Sequence, residues 1–245
     1  MEINEEVICC PVIGKNFVTA RFSFQYEKDK ELVDSFVKEG LELASKFDGT
    51  LARDSSRKRN RDTVKVNAIA GIISEFVWRE WLTSYASKNK ISLSVNKTAL
   101  IDIGNQIDIE IVYDNREKKS LEVRSSFPYT GIQNGICRVF DILGWYTNQV
   151  KKVEIKKDYY GRCLFPYNIK DFWKLLHSKF DAYLAGGATR QMLETSPHAQ
   201  DKELVPFDER DEIALGGKKT IYRVIVPIVN GDDIIQISNK IINGE

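Results

Sequence analysis

A chain of 245 residues can bury a sizeable core as one large domain or two small ones. With 42% hydrophobic and 29% charged residues it has the mix of a soluble globular protein. No apolar run reaches the length of a membrane span and no secretory signal opens the sequence, so a cytoplasmic protein with no membrane partner is expected. A net charge of +1 argues against nucleic-acid binding by sheer basicity, and the 2 histidines, His177 and His198, are too far apart for a His-based metal centre or a Ser-His triad. Any metal would therefore be held by oxygens. Cys9, Cys10, Cys137 and Cys163 show no Cys-x-x-Cys spacing and read as reduced thiols.

From the N-terminus, residues 11–27 alternate through Phe22, Phe24 and Tyr26 and predict a strand. Asp29 to Phe47 carries Leu32, Phe36, Val37, Leu41 and Leu43 at helical spacing, with Asp29 as candidate N-cap. The run R-D-S-S-R-K-R-N-R, Arg53 to Arg61, has no apolar period. It reads as a loop or arm, either a solvated surface or a patch that contacts phosphates. Asn67 to Ser87 is the strongest helix, with Ile69, Ile72, Ile73, Phe76, Val77, Leu82 and Tyr85 in period and Trp78 and Trp81 widening the apolar surface. Glu75 sits among them. A carboxylate there is usually a border residue; less commonly it points into a site beside the helix. Ile91 to Val95 alternates as a strand.

The stretch from Asp102 to Ser126 holds two runs of period-2 alternation around Asp114-Asn115-Arg116-Glu117. Ile107, Ile109, Ile111, Leu121 and Val123 take one face; Asp108, Glu110, Glu122 and Arg124 take the other. A hairpin with a loop of Asp114, Asn115 and Arg116 sets Asp108 directly opposite Glu122 and stacks all the aliphatics on one side, the register that burial selects. Such a pair has its Cβ atoms about 5 Å apart.

Beyond the hairpin, Ile132 to Asn148 predicts a second buried helix, Lys152 to Ile155 a short strand, and Asp158 to Gly161 a turn. Asn168 to Leu184 looks helical, 186–218 reads as a long polar loop, and two apolar runs, 221–229 and 234–242, flank Asn230-Gly231 as a hairpin. The order from residue 67 is helix, strand, two-stranded hairpin, helix, strand. It predicts an α/β protein of the α+β kind, a central mixed sheet flanked by helices.

This order, with Asp108 leading into one strand and Glu122-Val123-Arg124 on the next, resembles the PD-(D/E)xK nuclease superfamily, which includes most type II restriction endonucleases. The resemblance implies a restriction-endonuclease-like core at 61–165. An N-terminal strand-helix extension with the basic loop (1–60) and a C-terminal part (166–245) would read DNA or dimerise. It implies a Mg²⁺-dependent endonuclease, with Mn²⁺ as substitute, cutting double-stranded DNA as a homodimer in a restriction or related defence role. Asp108 and Glu122 would be the metal carboxylates, the Val123 carbonyl a further ligand, and Glu75 the helical acid. Arg57, Lys58, Arg59, Arg61, Gln133 and Arg138 would contact DNA. Arg124 departs from the family's lysine: a guanidinium holds a phosphate oxygen but supplies no neutral base at physiological pH. Two other readings compete, a nucleic-acid-binding protein of the same fold without hydrolysis, and an interaction domain whose hairpin acids face water.

Overall fold

Strand pairing begins at once: β1 (Glu2–Cys10) runs antiparallel to β2 (Lys15–Gln25), which carries Phe17, Phe22 and Phe24 inward. The computed structural model describes residues 1–11, 13–46, 61–98, 108–148, 155–203 and 220–245. Helix α1 (Tyr26–Lys46) follows β2 directly, and Asp29, expected as its cap, instead marks a kink (φ −111°, ψ 22°) and accepts from the Gln25 N–H at 2.9 Å. Helix α2 (Arg61–Lys88) contains the expected helix whole and takes in Arg61 from the basic run. It is buried around much of its girth, through Ile69, Ile73, Val77, Trp78 and Leu82.

Strands β3 (Leu93–Lys97), β4 (Ile109–Tyr113) and β5 (Lys118–Ser126) form an antiparallel meander. The hairpin closes through Asp114, Asn115 and Arg116: the Tyr113 N–H donates to Glu117 O at 3.0 Å, and Arg116 takes the left-handed conformation (φ 65°) that a three-residue loop with a bulge requires. The Asn115 side chain accepts from the Glu117 N–H at 2.9 Å and fixes the turn locally.

The region after the hairpin differs from expectation. Instead of a helix over 132–148 the chain makes one turn, α3 (Ile132–Asn134), a π turn (Gly135–Val139) and then a strand, β6 (Ile142–Asn148). The aromatic and β-branched residues there mimic a helical period, but they fit a pleated strand, and β10 (Thr220–Ile225) supplies its partner. The turn expected at Asp158 to Gly161 is the start of a buried strand, β7 (Tyr159–Leu164), which pairs parallel with β5. Of the strand expected at 152–155, only Ile155 is described, and it is not in a strand. The helix expected to reach residue 184 ends as α4 (Ile169–Leu176), and β8 (Lys179–Thr189) takes over. The long loop begins within β8, then holds α5 (Arg190–Thr195) and β9 (Ala199–Glu203) before leaving the described residues. The second half of the expected C-terminal hairpin is a helix, α6 (Ile234–Asn243): Asp233 and Gln236 form a capping box, and Ile234, Ile237 and Ile241 fall on one helical face.

Among the described residues these strands make a seven-stranded mixed sheet ordered β1-β2-β8-β7-β5-β4-β3, in which β5 and β7 are the parallel pair, and a three-stranded sheet β6-β10-β9. Helices α1, α2, α4 and α6 cover one face of the large sheet with an apolar core that includes Ile109, Ile111, Leu121 and Val123. The small sheet side covers the other face, around Tyr160, Leu164, Ile225 and Ile228. The expected α+β class, a mixed sheet flanked by helices, is what is observed. Segments 1–60 and 166–245 supply β1, β2 and β8 to the same sheet as the hairpin. Gly186 (φ 67°) allows β8 to pass the chain before α6, since a Cβ there would meet Asp232 O at 2.0 Å.

The four cysteines are not all thiols. Cys10 and Cys137 form a disulfide across 127 residues, with Cα atoms 5.7 Å apart; Cys9 is exposed and free and Cys163 is buried and free. The expectation of reduced thiols rested on local spacing, which carries no information about a pair brought together by the fold. No helix among the described residues is long and apolar enough to cross a membrane.

Candidate metal centre

The β4–β5 ladder pairs Ile109 with Leu121 and Glu110 with Ser120. One step back along that register, Asp108 faces Glu122. Asp108 stands at the bend before β4, and its Oδ2 accepts from the Val123 N–H at 2.7 Å. The N–H and C=O of one strand residue leave toward the same neighbouring strand, so the Val123 carbonyl is directed to the side on which Asp108 lies.

Glu122 is 7% exposed. Its Oε1 pairs with Arg124 Nη2 at 2.8 Å, while Oε2 is buried with no hydrogen-bond partner among the described residues. Glu75, on α2, is paired elsewhere: its Oε2 lies 3.6 Å from Lys97 Nζ, and Lys97, on β3, also binds Glu39 of α1. Burial pushes the Asp108 carboxyl well above the usual carboxylate range, and the negative charges of Glu122 and Glu75 push it further; the Val123 N–H and Arg124 pull the other way. Glu75 is pushed up to about 7, chiefly by burial and further by Glu39 and Glu122, with Lys97 opposing. Asp108, Glu122 and Glu75 are therefore within electrostatic reach of one another near the open end of the β4–β5 hairpin.

Hard oxygen donors of this kind suit Mg²⁺, which retains waters and needs few protein ligands. The fit rests on Glu122 Oε2, a buried acceptor with no donor among the described residues, beside a carboxyl, Asp108, that its neighbours disfavour as an anion. A divalent cation would satisfy both. Among the described residues no cluster of three or more His, Cys, Asp or Glu side chains forms a ready ligand shell; Asp108, Glu122 and the Val123 carbonyl would be the protein's share.

The other expected residues are dispersed. Arg57, Lys58 and Arg59 lie outside the described residues. Arg61 is exposed at the start of α2, 14 residues before Glu75, which at the helical rise is about 21 Å. The Gln133 side chain donates to Cys9 O at 2.6 Å, engaged with β1 rather than with the acids, and Arg138 is exposed on the π turn.

The fold also brings in residues that spacing did not single out. Lys97 and Glu39 meet Glu75 only through packing of α1, α2 and β3. Arg162, on β7, is aligned with Arg124 on β5, so the two guanidinium groups share one face of the sheet. Arg162 is 1% exposed, and burial pushes its pKa down to about 10, with the nearby Arg124 contributing. A basic residue beside Gly161, in what reads as a turn, gave no signal of this.

Over 210 residues the chain is 27% identical to an uncharacterized protein of Methanocaldococcus jannaschii, a match that covers 73% of this chain and 71% of that one. No protein-family model matches the chain, and no solved structure matches it.

Proposed function

We propose that this protein is a divalent-metal-dependent nuclease that hydrolyses phosphodiesters of double-stranded DNA, as a member of the PD-(D/E)xK superfamily acting in restriction or a related defence role in the cytoplasm. The observation that carries the reading is the register that sets Asp108 opposite Glu122, with Glu122 Oε2 buried and, among the described residues, without a hydrogen-bond donor. Asp108, Glu122 and the Val123 carbonyl would hold Mg²⁺, or Mn²⁺ in its place. The ion supplies a more acidic bound water and neutralises charge on the phosphoryl oxygens. The Val123 N–H keeps Asp108 oriented, and Glu75, with a pKa near neutrality, can take or return a proton close to the metal carboxylates. Arg124 supplies positive charge where a phosphate oxygen would sit. A homodimer matches a two-fold target.

Cutting of supercoiled plasmid should require Mg²⁺ or Mn²⁺ and be abolished by Asp108→Ala and by Glu122→Ala. If both variants cut as well as the parent, the site assignment fails.

The Arg124–Glu122 ion pair favours a second reading, a nucleic-acid-binding protein of this fold that does not hydrolyse. An arginine clamped on Glu122 competes with a metal for that carboxylate. Salt-sensitive duplex binding with no cutting in any divalent metal would support it. The Cys10–Cys137 disulfide is unusual for a reducing compartment, and mass spectrometry of the protein from intact cells reads its state directly.

A further inference from the structure

Arg162 is a fully buried cation whose hydrogen bonding is incomplete. Its Nη2 donates to Ser126 Oγ at 2.7 Å, while Nε and Nη1 have no hydrogen-bond partner among the described residues. Its counter-charge is also incomplete. Asp141 is within electrostatic reach, but Asp141 Oδ2 is bound by Lys202 Nζ at 2.6 Å. The nearest aligned side chain is another cation, since Arg124 and Arg162 are register partners on the parallel strands β5 and β7. Like charges so placed repel, and a buried unpaired charge costs folding free energy unless something satisfies it. A buried guanidinium with N–H groups unused at Nε and Nη1, on the same face of the sheet as a second guanidinium, is a receptor for a tetrahedral oxyanion. Arg124, its register partner, has a side chain 29% exposed and pairs with Glu122.

The geometry points to an oxyanion site formed by Arg162, Arg124 and Ser126, which takes a phosphate group beside the Asp108–Glu122 carboxylates. Arg124 would stand at its mouth and Arg162 at its floor, each giving hydrogen bonds to non-bridging oxygens. That the phosphate belongs to a DNA backbone rests on the nuclease reading above; the oxyanion site itself does not.

The test is thermal melting of the full chain with inorganic phosphate, against sodium chloride at equal ionic strength, for the parent, Arg162→Met, Arg162→Lys and Ser126→Ala. At ten times its Kd, phosphate should raise the parent's melting temperature by roughly 3–6 °C. Arg162→Met should lose that shift. Without phosphate it should melt no lower than the parent, because an unsatisfied buried charge has been removed. Arg162→Lys and Ser126→Ala should keep a reduced shift, and they carry the phosphate measurement if the Met variant does not fold. A full phosphate shift in all three variants, or none in the parent, overturns the proposal. So does an Arg162→Met variant that melts well below the parent while still responding to phosphate, which would make Arg162 a purely structural cation. Plasmid cutting separates the two claims. A phosphate shift that depends on Arg162, in a protein that cuts nothing, upholds the oxyanion site while the nuclease reading falls. Cutting by a protein with no such shift leaves the nuclease standing and removes the site.

Discussion

Glu75 shows how one side chain can tie stability to pH. Its proton is held more tightly in the folded protein, where its pKa is about 7, than in an unfolded chain, where it is near 4.5. Stability is therefore fully present below about pH 4.5, falls between 4.5 and 7, and levels off above. Glu75→Gln removes this dependence. Between pH 5 and 8 the parent should lose about 1–3 kcal/mol relative to the Gln variant, read from urea midpoints. Asp108, also shifted upward, adds a fall of the same sign to both proteins. An equal decline in parent and variant would show that Glu75 does not titrate in this window. In the sequence, Asp108 and Glu122 were legible because the hairpin that brings them together is local, with turn chemistry and alternation agreeing on one register. Arg162 was not. Its meaning depends on a parallel partner strand reached by a crossover, and no spacing rule encodes that.

At the level of elements, the β5–β7 pair places both arginines and rests on a close approach. A Cβ added to Gly161 on β7 would lie 2.7 Å from two ring carbons of Trp78 on α2. Gly161→Ala should therefore cost about 1–3 kcal/mol in urea unfolding through overpacking. Adding Trp78→Phe, which clears space, should restore part of the loss. Strictly additive effects of the two substitutions would show that they do not meet. The same pair is pinned at its start by Asp158, which accepts from the Ser120 N–H and hydroxyl at 2.8 Å and from Arg190 at 2.8 Å. Elements with one dominant local pattern, α2 and the β4–β5 hairpin, could be read directly from the chain. Those decided by a distant partner could not: β6 needed β10, and β8 needed β2 and β7. For α6 the capping residues Asp233 and Gln236 were visible, but Asn230-Gly231 offered a rival turn, and packing of Ile234, Ile237 and Ile241 into the core settles it as a helix.

For the whole molecule, the Cys10–Cys137 bond ties the end of β1 to the π turn, and with it one edge of the large sheet to the small-sheet layer. A link across 127 residues restricts the unfolded chain strongly. Cys137→Ser or reduction should lower unfolding free energy by about 2–4 kcal/mol, with Cys9→Ser as a neutral control. Equal urea midpoints with and without reductant would count against the bond. Sheet order has a further consequence, for biosynthesis. Residues 20–25 of β2 pair with residues 179–184 of β8, so β1 and β2 emerge from a ribosome long before β2 has its second neighbour. At typical elongation rates that interval is about ten to thirty seconds. Through it the backbone edge of β2 that β8 will pair, on a strand whose Phe22 and Phe24 still lack most of the core that buries them, is open to pairing with other chains. An edge left open for much of synthesis becomes an interior ladder of the finished sheet.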